Sequence, residues 1–236
     1  MAEQEPRWEW LASEFPSFPE PERWIPLLQR HAAILDASPI RATAVDSSRM
    51  VRRHFAESLE LLRIALEGGF EPPAVDVGSG AGFPGLVIAA VFPDWEVHLI
   101  EPQRKRARLL AEIARCLELP NVVVHAVRAE EAGRGSLRER AKGVTARAVA
   151  PLPELLEYTA PLAAVGAPLV LPKGSRFREE LEGSARALRQ LGVAYEGAIP
   201  MRPQISETIV VLRFRKIEPT PQRYPRRPGL PAKRPL

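Results

Sequence analysis

The chain has 236 residues, with 33 Lys and Arg against 29 Asp and Glu, and a single cysteine. This length suits one α/β domain with added terminal segments and is short for two enzymatic domains. Cys116 cannot form an internal disulfide, and no Cys/His cluster has zinc spacing. No apolar run is long enough for a membrane span, and the N-terminus lacks the pattern of a signal peptide. We therefore expect a cytoplasmic protein with neither a membrane anchor nor a metal.

The first 70 residues predict an N-terminal helical extension. Apolar residues recur at helical spacing over 8–15, 22–36 and 46–69. Asp46 or Ser47 can cap the third helix, and the pair Gly68-Gly69 can end it. We expect His54 on this helix to be a buried or capping residue, with substrate contact as the alternative.

From residue 71 to 216, short apolar runs alternate with helical segments. Strands are predicted at 74–77, 95–100, 122–127, 143–150, 167–174, 194–200 and 208–214, and helices after the first strand and at 104–117, 153–162 and 177–191. Such alternation predicts a parallel sheet with helices on both faces. Only the short segment 201–207 separates the last two strands, so they should be antiparallel neighbours. The predicted fold class is therefore α/β, with a mostly parallel seven-stranded sheet and a late antiparallel hairpin.

The last segment, 217–236, is rich in proline and basic residues. Residues 219–236 carry Arg223, Arg226, Arg227, Lys233 and Arg234 and no acidic residue. Proline disfavours a helix or a central strand here, so we expect an extended tail. Such a tail suits a polyanion such as RNA, or it is a solvated extension only.

A glycine loop follows the first strand of the core. Between Asp76 and Gly85 the glycines let the backbone approach a ligand closely, and Pro84 suits a first helical turn. A dinucleotide interpretation exists, because Gly80, Gly82 and Gly85 fit G-x-G-x-x-G and Glu101 follows at the right distance. Asp76 and the late hairpin instead favour S-adenosyl-L-methionine.

Five segments together resemble the RsmG family, formerly GidB. They are HFAESL (54–59), DVGSGAGFPGLVIA (76–89), AVRAEE (126–131), ARAVAPL (146–152) and LPKG (171–174). Members are bacterial enzymes that make 7-methylguanosine in small-subunit ribosomal RNA, and the resemblance covers about residues 50–215. It implies a class I, Rossmann-like methyltransferase that uses S-adenosyl-L-methionine and acts on 16S ribosomal RNA or the small ribosomal subunit.

The resemblance also implies the site residues. The cofactor would be bound by Gly78, Gly80, Phe83, Glu101, Pro102, Gln103, Ala129, Glu130 and Arg147. Apart from the resemblance, we expect RNA contact from Arg147, from Lys173 at the carboxyl end of the fifth strand, and from Arg226 and Arg227 in the basic tail. Arg147 is also singled out by its surroundings, since a charge in an apolar strand needs a partner or a ligand; for Lys173 a plain loop lysine is the alternative.

We predict no catalytic acid or base from the sequence. Methylation at pyrimidine carbon 5 generally needs a cysteine nucleophile, but Cys116 lies on a predicted helix. An exocyclic amine usually goes with an Asn/Asp-Pro-Pro-aromatic loop, and residues 149–152 read Val-Ala-Pro-Leu instead. Guanine nitrogen 7 carries a lone pair and no proton, so it requires no base. The alternatives are a methyltransferase for another RNA, a protein or a small molecule, an NAD-dependent oxidoreductase, and an RNA-binding module with a vestigial pocket.

Overall fold

The computed structural model describes residues 7–40 and 49–236, and the predicted cap at Asp46 or Ser47 lies outside these ranges. The N-terminal part is helical, as predicted. It contains α1 (Trp10–Glu14), α2 (Pro21–Ala37) and α3 (Glu57–Glu67). A π-helical turn over Val51–Ala56 leads directly into α3. Such turns are often found at functional sites.

The core then alternates strand and helix. The strands are β1 (Ala74–Val77), β2 (Val97–Ile100), β3 (Val122–His125), β4 (Gly143–Ala146), β5 (Pro168–Lys173), β6 (Val193–Pro200) and β7 (Val210–Lys216). The helices are α4 (Gly85–Val91), α5 (Arg104–Cys116), α6 (Ala129–Ala132), α7 (Leu152–Thr159), α8 (Phe177–Glu182), α9 (Ala185–Leu191) and α10 (Leu230–Lys233).

All seven strands form one sheet in the order β3-β2-β1-β4-β5-β7-β6. Strands β1 to β5 pair in parallel, whereas β7 pairs antiparallel with both β5 and β6. The predicted late hairpin is therefore confirmed. The order reverses direction at β1 and β4, and ligands bind beyond the carboxyl ends of the strands at such a point in open α/β sheets.

Apolar side chains fill both faces of the sheet. On one face α2 and α3 pack against α4, and the fully buried Trp24, Phe55 and Leu86 belong to the same cluster. On the other face α7 and α9 share a cluster with Leu169 and Phe214. The N-terminal helices thus share a hydrophobic core with the sheet, which fixes them beside the glycine loop.

Three expectations on the elements were wrong. The fourth strand ends at Ala146 instead of 150, because Ala148 has a φ of +55° that no strand accommodates. The predicted helix over 177–191 is two helices, separated at Gly183 and Ser184. The C-terminal segment is neither free nor wholly extended, since Tyr224 and Pro231 are buried and α10 forms with a proline in its first turn.

Within the described residues no helix is both long and apolar enough to cross a membrane. The same ranges contain no cluster of three or more His, Cys, Asp or Glu side chains placed to hold a metal ion.

Candidate functional site

A cleft of about 300 Å³ lies beyond the carboxyl ends of β1, β2 and β3. Its floor is Val77 and Gly78 from β1 and its loop, and Ile100 and Glu101 from β2. The remaining lining residues are Pro102, Gln103, Arg106, Arg128, Ala129, Glu130, Ala148, Val149, Glu154 and Tyr158. The predicted residues at the ends of these three strands therefore share one cleft.

The glycine loop needs its glycines for two physical reasons. Gly78, Gly80 and Gly82 have φ values of +71°, +55° and +97°, which other residues rarely adopt. A Cβ atom on Gly78 would also lie 2.5 Å from Cγ2 of Val149, well inside van der Waals contact. The loop backbone thus forms a bare surface along the cleft.

Asp76 fixes the turn from the loop into α4. It is fully buried, and its Oδ2 accepts the Gly85 amide hydrogen at 3.1 Å. Burial raises the pKa of Asp76 to about 6, against the opposing effect of its hydrogen bonds. No room exists for a side chain at Gly85, where a Cβ would lie 2.9 Å from the same Oδ2.

The Glu101 carboxylate accepts hydrogen bonds from two backbone amides, one on each side of it in the sequence. Its Oε2 accepts the Gly80 amide at 3.0 Å and its Oε1 accepts the Gln103 amide at 2.8 Å. Each carboxylate oxygen has a further acceptor position, so the group can still receive hydrogen bonds from a diol. The carboxylate is thereby fixed at the end of β2 before any ligand binds.

Glu130 enters the cleft from the first turn of α6. Its side chain is buried, and Oε1 accepts the amide hydrogen of Gly229 at 2.9 Å. The C-terminal segment therefore reaches this end of the cleft. Ala129, the other residue predicted after the third strand, also lines the cleft.

Phe83, predicted to bind the cofactor, is not among the described residues that line the cleft. Its ring is stacked between His31 at 4.8 Å and His54 at 4.4 Å, measured between ring centroids. Burial lowers the pKa of His31 to about 4 and that of His54 to about 3, so both rings are neutral at pH 7. The stack joins the glycine loop to α2 and to the π-helical turn. His54 is buried, as expected.

Arg147 follows β4 and turns toward the N-terminal helices. Its Nη2 donates to the Arg53 carbonyl and to Nδ1 of His54, each at 2.8 Å, and lies 3.4 Å from the Glu57 carboxylate. Burial raises the pKa of Glu57 in spite of the two nearby arginines. Nη1 of Arg147 is buried without a hydrogen-bond partner among the described residues. A buried donor of this kind is usually satisfied by an ordered water, an ion or a ligand.

The other predicted RNA contacts are scattered. Nζ of Lys173 lies 2.6 Å from the Glu180 carboxylate and donates to the Ala150 carbonyl at 2.9 Å. The Arg226 guanidinium is bound to the fully buried Glu157, whereas Arg227 is exposed. Lys173 and Arg226 thus have structural partners that the sequence did not reveal.

Several cleft residues were missed by the sequence interpretation. Arg106 and Arg128 border the cleft from α5 and from the loop before α6, and Tyr158 donates a hydrogen bond to Glu154 at 2.6 Å on α7. Ala148 has its φ of +55° in the wall of the cleft, a conformation that is uncommon outside glycine and often marks functional sites. The sequence feature that could have indicated two of these residues is the i, i+4 spacing of Glu154 and Tyr158 on a predicted helix.

Residues 40–199 match the model of the family described as GidB, rRNA small subunit methyltransferase G. The chain belongs to this family. A relative from Roseiflexus castenholzii, named Ribosomal RNA small subunit methyltransferase G, is 39% identical over 220 residues, covering 91% of this chain and 93% of the relative. A relative of the same name from Chloroflexus aggregans is 41% identical over 194 residues, covering 81% of this chain and 80% of its own.

Solved structures support the fold. A SAM-dependent methyltransferase from Aquifex aeolicus superposes with a TM-score of 0.55 at 16% identity, covering 79% of this chain and 98% of that one. A variant of the 16S rRNA (adenine(1408)-N(1))-methyltransferase from Catenulisporales acidiphilia, solved with SAM, gives 0.52 at 20% identity, covering 70% and 93%. The expected RsmG-family, class I methyltransferase is confirmed, as is S-adenosylmethionine as its cofactor. The oxidoreductase alternative is excluded by this family membership, because the relatives are methyltransferases.

The cleft fits S-adenosylmethionine. The bare backbone at Gly78 permits close approach, Glu101 offers fixed acceptors for a ribose, and Glu130 offers an acceptor at the far end. These three sites lie on successive strands, so an elongated ligand can contact all of them.

Proposed function

We propose that this enzyme methylates nitrogen 7 of a guanine in 16S ribosomal RNA, in the cytoplasm, with the small ribosomal subunit or its RNA as partner. The observation that carries the proposal is the placement of the family's glycine loop against Val149, in a cleft that continues to Glu101 and Glu130. Family membership supplies the substrate class, since the curated relatives are named for small-subunit ribosomal RNA.

For the cofactor we propose the predicted residues that meet in the cleft. Gly78 provides bare backbone, Glu101 takes the ribose hydroxyls, and Glu130 reads the adenine. Gly80 lies outside the cleft lining and contributes through its amide, which holds the Glu101 carboxylate. Pro102, Gln103 and Ala129 complete the walls. When bound, S-adenosylmethionine supplies an electrophilic methyl group on a positively charged sulfur.

The acceptor side is proposed to lie toward the loop after β4. Arg147 begins this loop and has a buried donor without a protein partner in the described ranges, which suits a phosphate or a carboxylate. Lys173 and Glu180 hold the same loop, because Nζ of Lys173 binds the Ala150 carbonyl and Glu180 accepts the Leu152 amide at 2.8 Å. Exposed Arg227 is the stronger candidate for RNA contact in the C-terminal segment, since Arg226 is engaged by Glu157.

The proposed reaction needs no proton transfer by a side chain. Guanine nitrogen 7 bears no proton in neutral solution, so no residue has to remove one. The protein's work is to place the base in line with the methyl group and to exclude water, and orientation of this kind is worth roughly 7–11 kcal/mol. Of the described cleft residues, Glu154 and Tyr158 are hydrogen-bonded to each other and burial raises the pKa of Tyr158, so this phenol stays protonated.

The test is methylation of small-subunit RNA in vitro, with the modified nucleoside mapped by mass spectrometry. We expect 7-methylguanosine at a single position, and activity nearly flat between about pH 6.5 and 8.5 because no general base is titrated. Gly78→Asp should abolish both cofactor binding and methylation, whereas Gly174→Asp, at a position with open space around it, should retain them. A methyl group on any other atom, or a steep rise in rate through neutrality, would overturn the proposal.

A further inference from the structure

The C-terminal segment 219–236, here called the strap, is fastened across the protein surface by buried contacts. Arg138 donates to the carbonyls of Thr220 and Tyr224 at 2.6 and 2.8 Å, and Arg134 donates to that of Pro225 at 2.7 Å. The Tyr224 ring is buried in the apolar cluster beneath α7. The strap is therefore part of the folded unit.

Its strongest anchor is Arg226. The backbone amide, Nε and Nη2 of this residue all donate to the carboxylate of Glu157 on α7, at 2.6 to 3.0 Å. Glu157 is completely buried, so it depends on the strap for its counter-charge. A buried carboxylate paired in this bidentate way fixes the direction of the arginine and of the backbone that carries it.

Three residues further on, the strap reaches the cleft. Gly229 has a φ of +78°, and its amide hydrogen is donated to Oε1 of Glu130 at 2.9 Å. Glu130 is the second residue of the short helix α6 and lines the cleft. Hydrogen bonds at Arg226 and Gly229, joined by the short backbone segment between them, thus connect buried Glu157 to a carboxylate in the cleft.

We propose that the strap is a positioning device for cofactor recognition, which holds the Glu130 carboxylate in the orientation that accepts the 6-amino group of adenine. This inference rests on the proposed cofactor role of Glu130. It reverses the expected role of the tail, because Arg226 serves the cofactor site through Glu157 and not an RNA phosphate. Arg226 and Gly229 act through Glu130 and do not touch the cofactor.

The matched pair of variants is Arg226→Gln and Arg234→Gln, which remove the same charge from two positions of the strap. Calorimetry measures binding of S-adenosylhomocysteine and of its analogue with hypoxanthine in place of adenine. We expect the wild type to bind S-adenosylhomocysteine more tightly than the hypoxanthine analogue. Hypoxanthine has a carbonyl oxygen in place of the 6-amino group, so it cannot donate a hydrogen bond to Glu130 from that position. Arg226→Gln should weaken S-adenosylhomocysteine binding roughly tenfold, the size of one charged hydrogen bond, and should erase most of the preference. Arg234→Gln, at an exposed position of the strap, should change neither.

General loss of stability would weaken both ligands equally and leave their ratio intact, so the ratio isolates the positioning effect. Hydrogen exchange of the wild type gives a second measurement that needs no variant: S-adenosylhomocysteine should slow exchange of the Gly229 amide and of the neighbouring strap amides. An unchanged ratio in folded Arg226→Gln, or strap amides whose exchange ignores the ligand, would overturn the proposal. Absence of S-adenosylhomocysteine binding in the wild type would instead refute the proposed function.

Discussion

The guanidinium of Arg147, directly after β4, lies 3.4 Å from the buried carboxylate of Glu57 on α3. Ninety residues of sequence separate the two. Their pairing joins the N-terminal helices to the edge of the cofactor cleft, because Ala148 and Val149 next to Arg147 form part of its wall.

Removal of Arg147 should therefore destabilise the protein. Arg147→Gln leaves Glu57 buried with only the more distant Arg53, 3.7 Å away, and such a loss costs about 3 kcal/mol or more. The pKa of Glu57, already raised by burial, should rise further. Urea denaturation should show a smaller loss at pH 5 than at pH 7, because protonated Glu57 needs no counter-charge.

The double variant Arg147→Gln/Glu57→Gln tests the pairing. It should regain a clear part of the lost free energy of unfolding, since neither buried charge is left alone. If Arg147 also binds a ligand through Nη1, the double variant remains defective in cofactor or RNA binding although its stability recovers. Additive effects of the two single changes would contradict the coupling.

Gly78→Ala should harm both folding and cofactor binding. An alanine at a φ of +71° costs about 1 kcal/mol or more, and its methyl group would lie 2.5 Å from Cγ2 of Val149. Thermal unfolding and calorimetry with S-adenosylhomocysteine measure the two effects. Adding Val149→Ala should restore part of the stability, because it removes the clash and leaves the backbone strain. Gly174→Ala, with nothing within 4 Å of its Cβ, is the control and should be close to neutral.

Acid should destabilise the protein through the two buried histidines. Burial lowers the pKa of His31 to about 4 and that of His54 to about 3, from 6.5 in the unfolded chain. The unfolded chain therefore binds protons that the folded protein does not, and stability falls as pH drops below 6.5. Asp76 opposes this, since its pKa is raised to about 6 from 3.8 and its protonation favours the folded state over that interval.

His31→Gln isolates one of these protons. Between pH 4.5 and 6 the free energy of unfolding of the wild type should depend more steeply on pH than that of the variant, by up to about 1.4 kcal/mol per pH unit. Chemical denaturation at a series of pH values measures both slopes. Parallel slopes would mean that His31 is protonated in the folded state.

Lys173 should act on the loop after β4 more than on RNA. Because Nζ binds both Glu180 and the Ala150 carbonyl, Lys173→Gln and Glu180→Gln should lower the single-turnover methylation rate to a similar extent. The salt dependence of RNA binding should stay the same in both variants. A phosphate contact would instead flatten the log-log slope by about 0.7 in Lys173→Gln alone.

The sequence alone determined that the sheet is mostly parallel with a late antiparallel hairpin, and it located the glycine loop that borders the cleft. Positive φ values are a property of single residues, so the glycines at 78, 80 and 82 marked the tight turn after β1 without any knowledge of packing. The short 201–207 connection required an antiparallel hairpin for an equally local reason. Glu101 directly follows β2 and Glu130 comes five residues after β3, and parallel topology brings such positions to one edge.

Only the tertiary structure decided what the charges do. Arg147 pairs with Glu57, Lys173 with Glu180 and Arg226 with Glu157, and the tail that was expected to be extended became a strap across α7. The stacking of Phe83 between His31 and His54 could not be predicted from the sequence either. A basic residue looks the same in a sequence whether it faces a phosphate or a buried carboxylate, because its partner is chosen by packing between segments far apart in the chain.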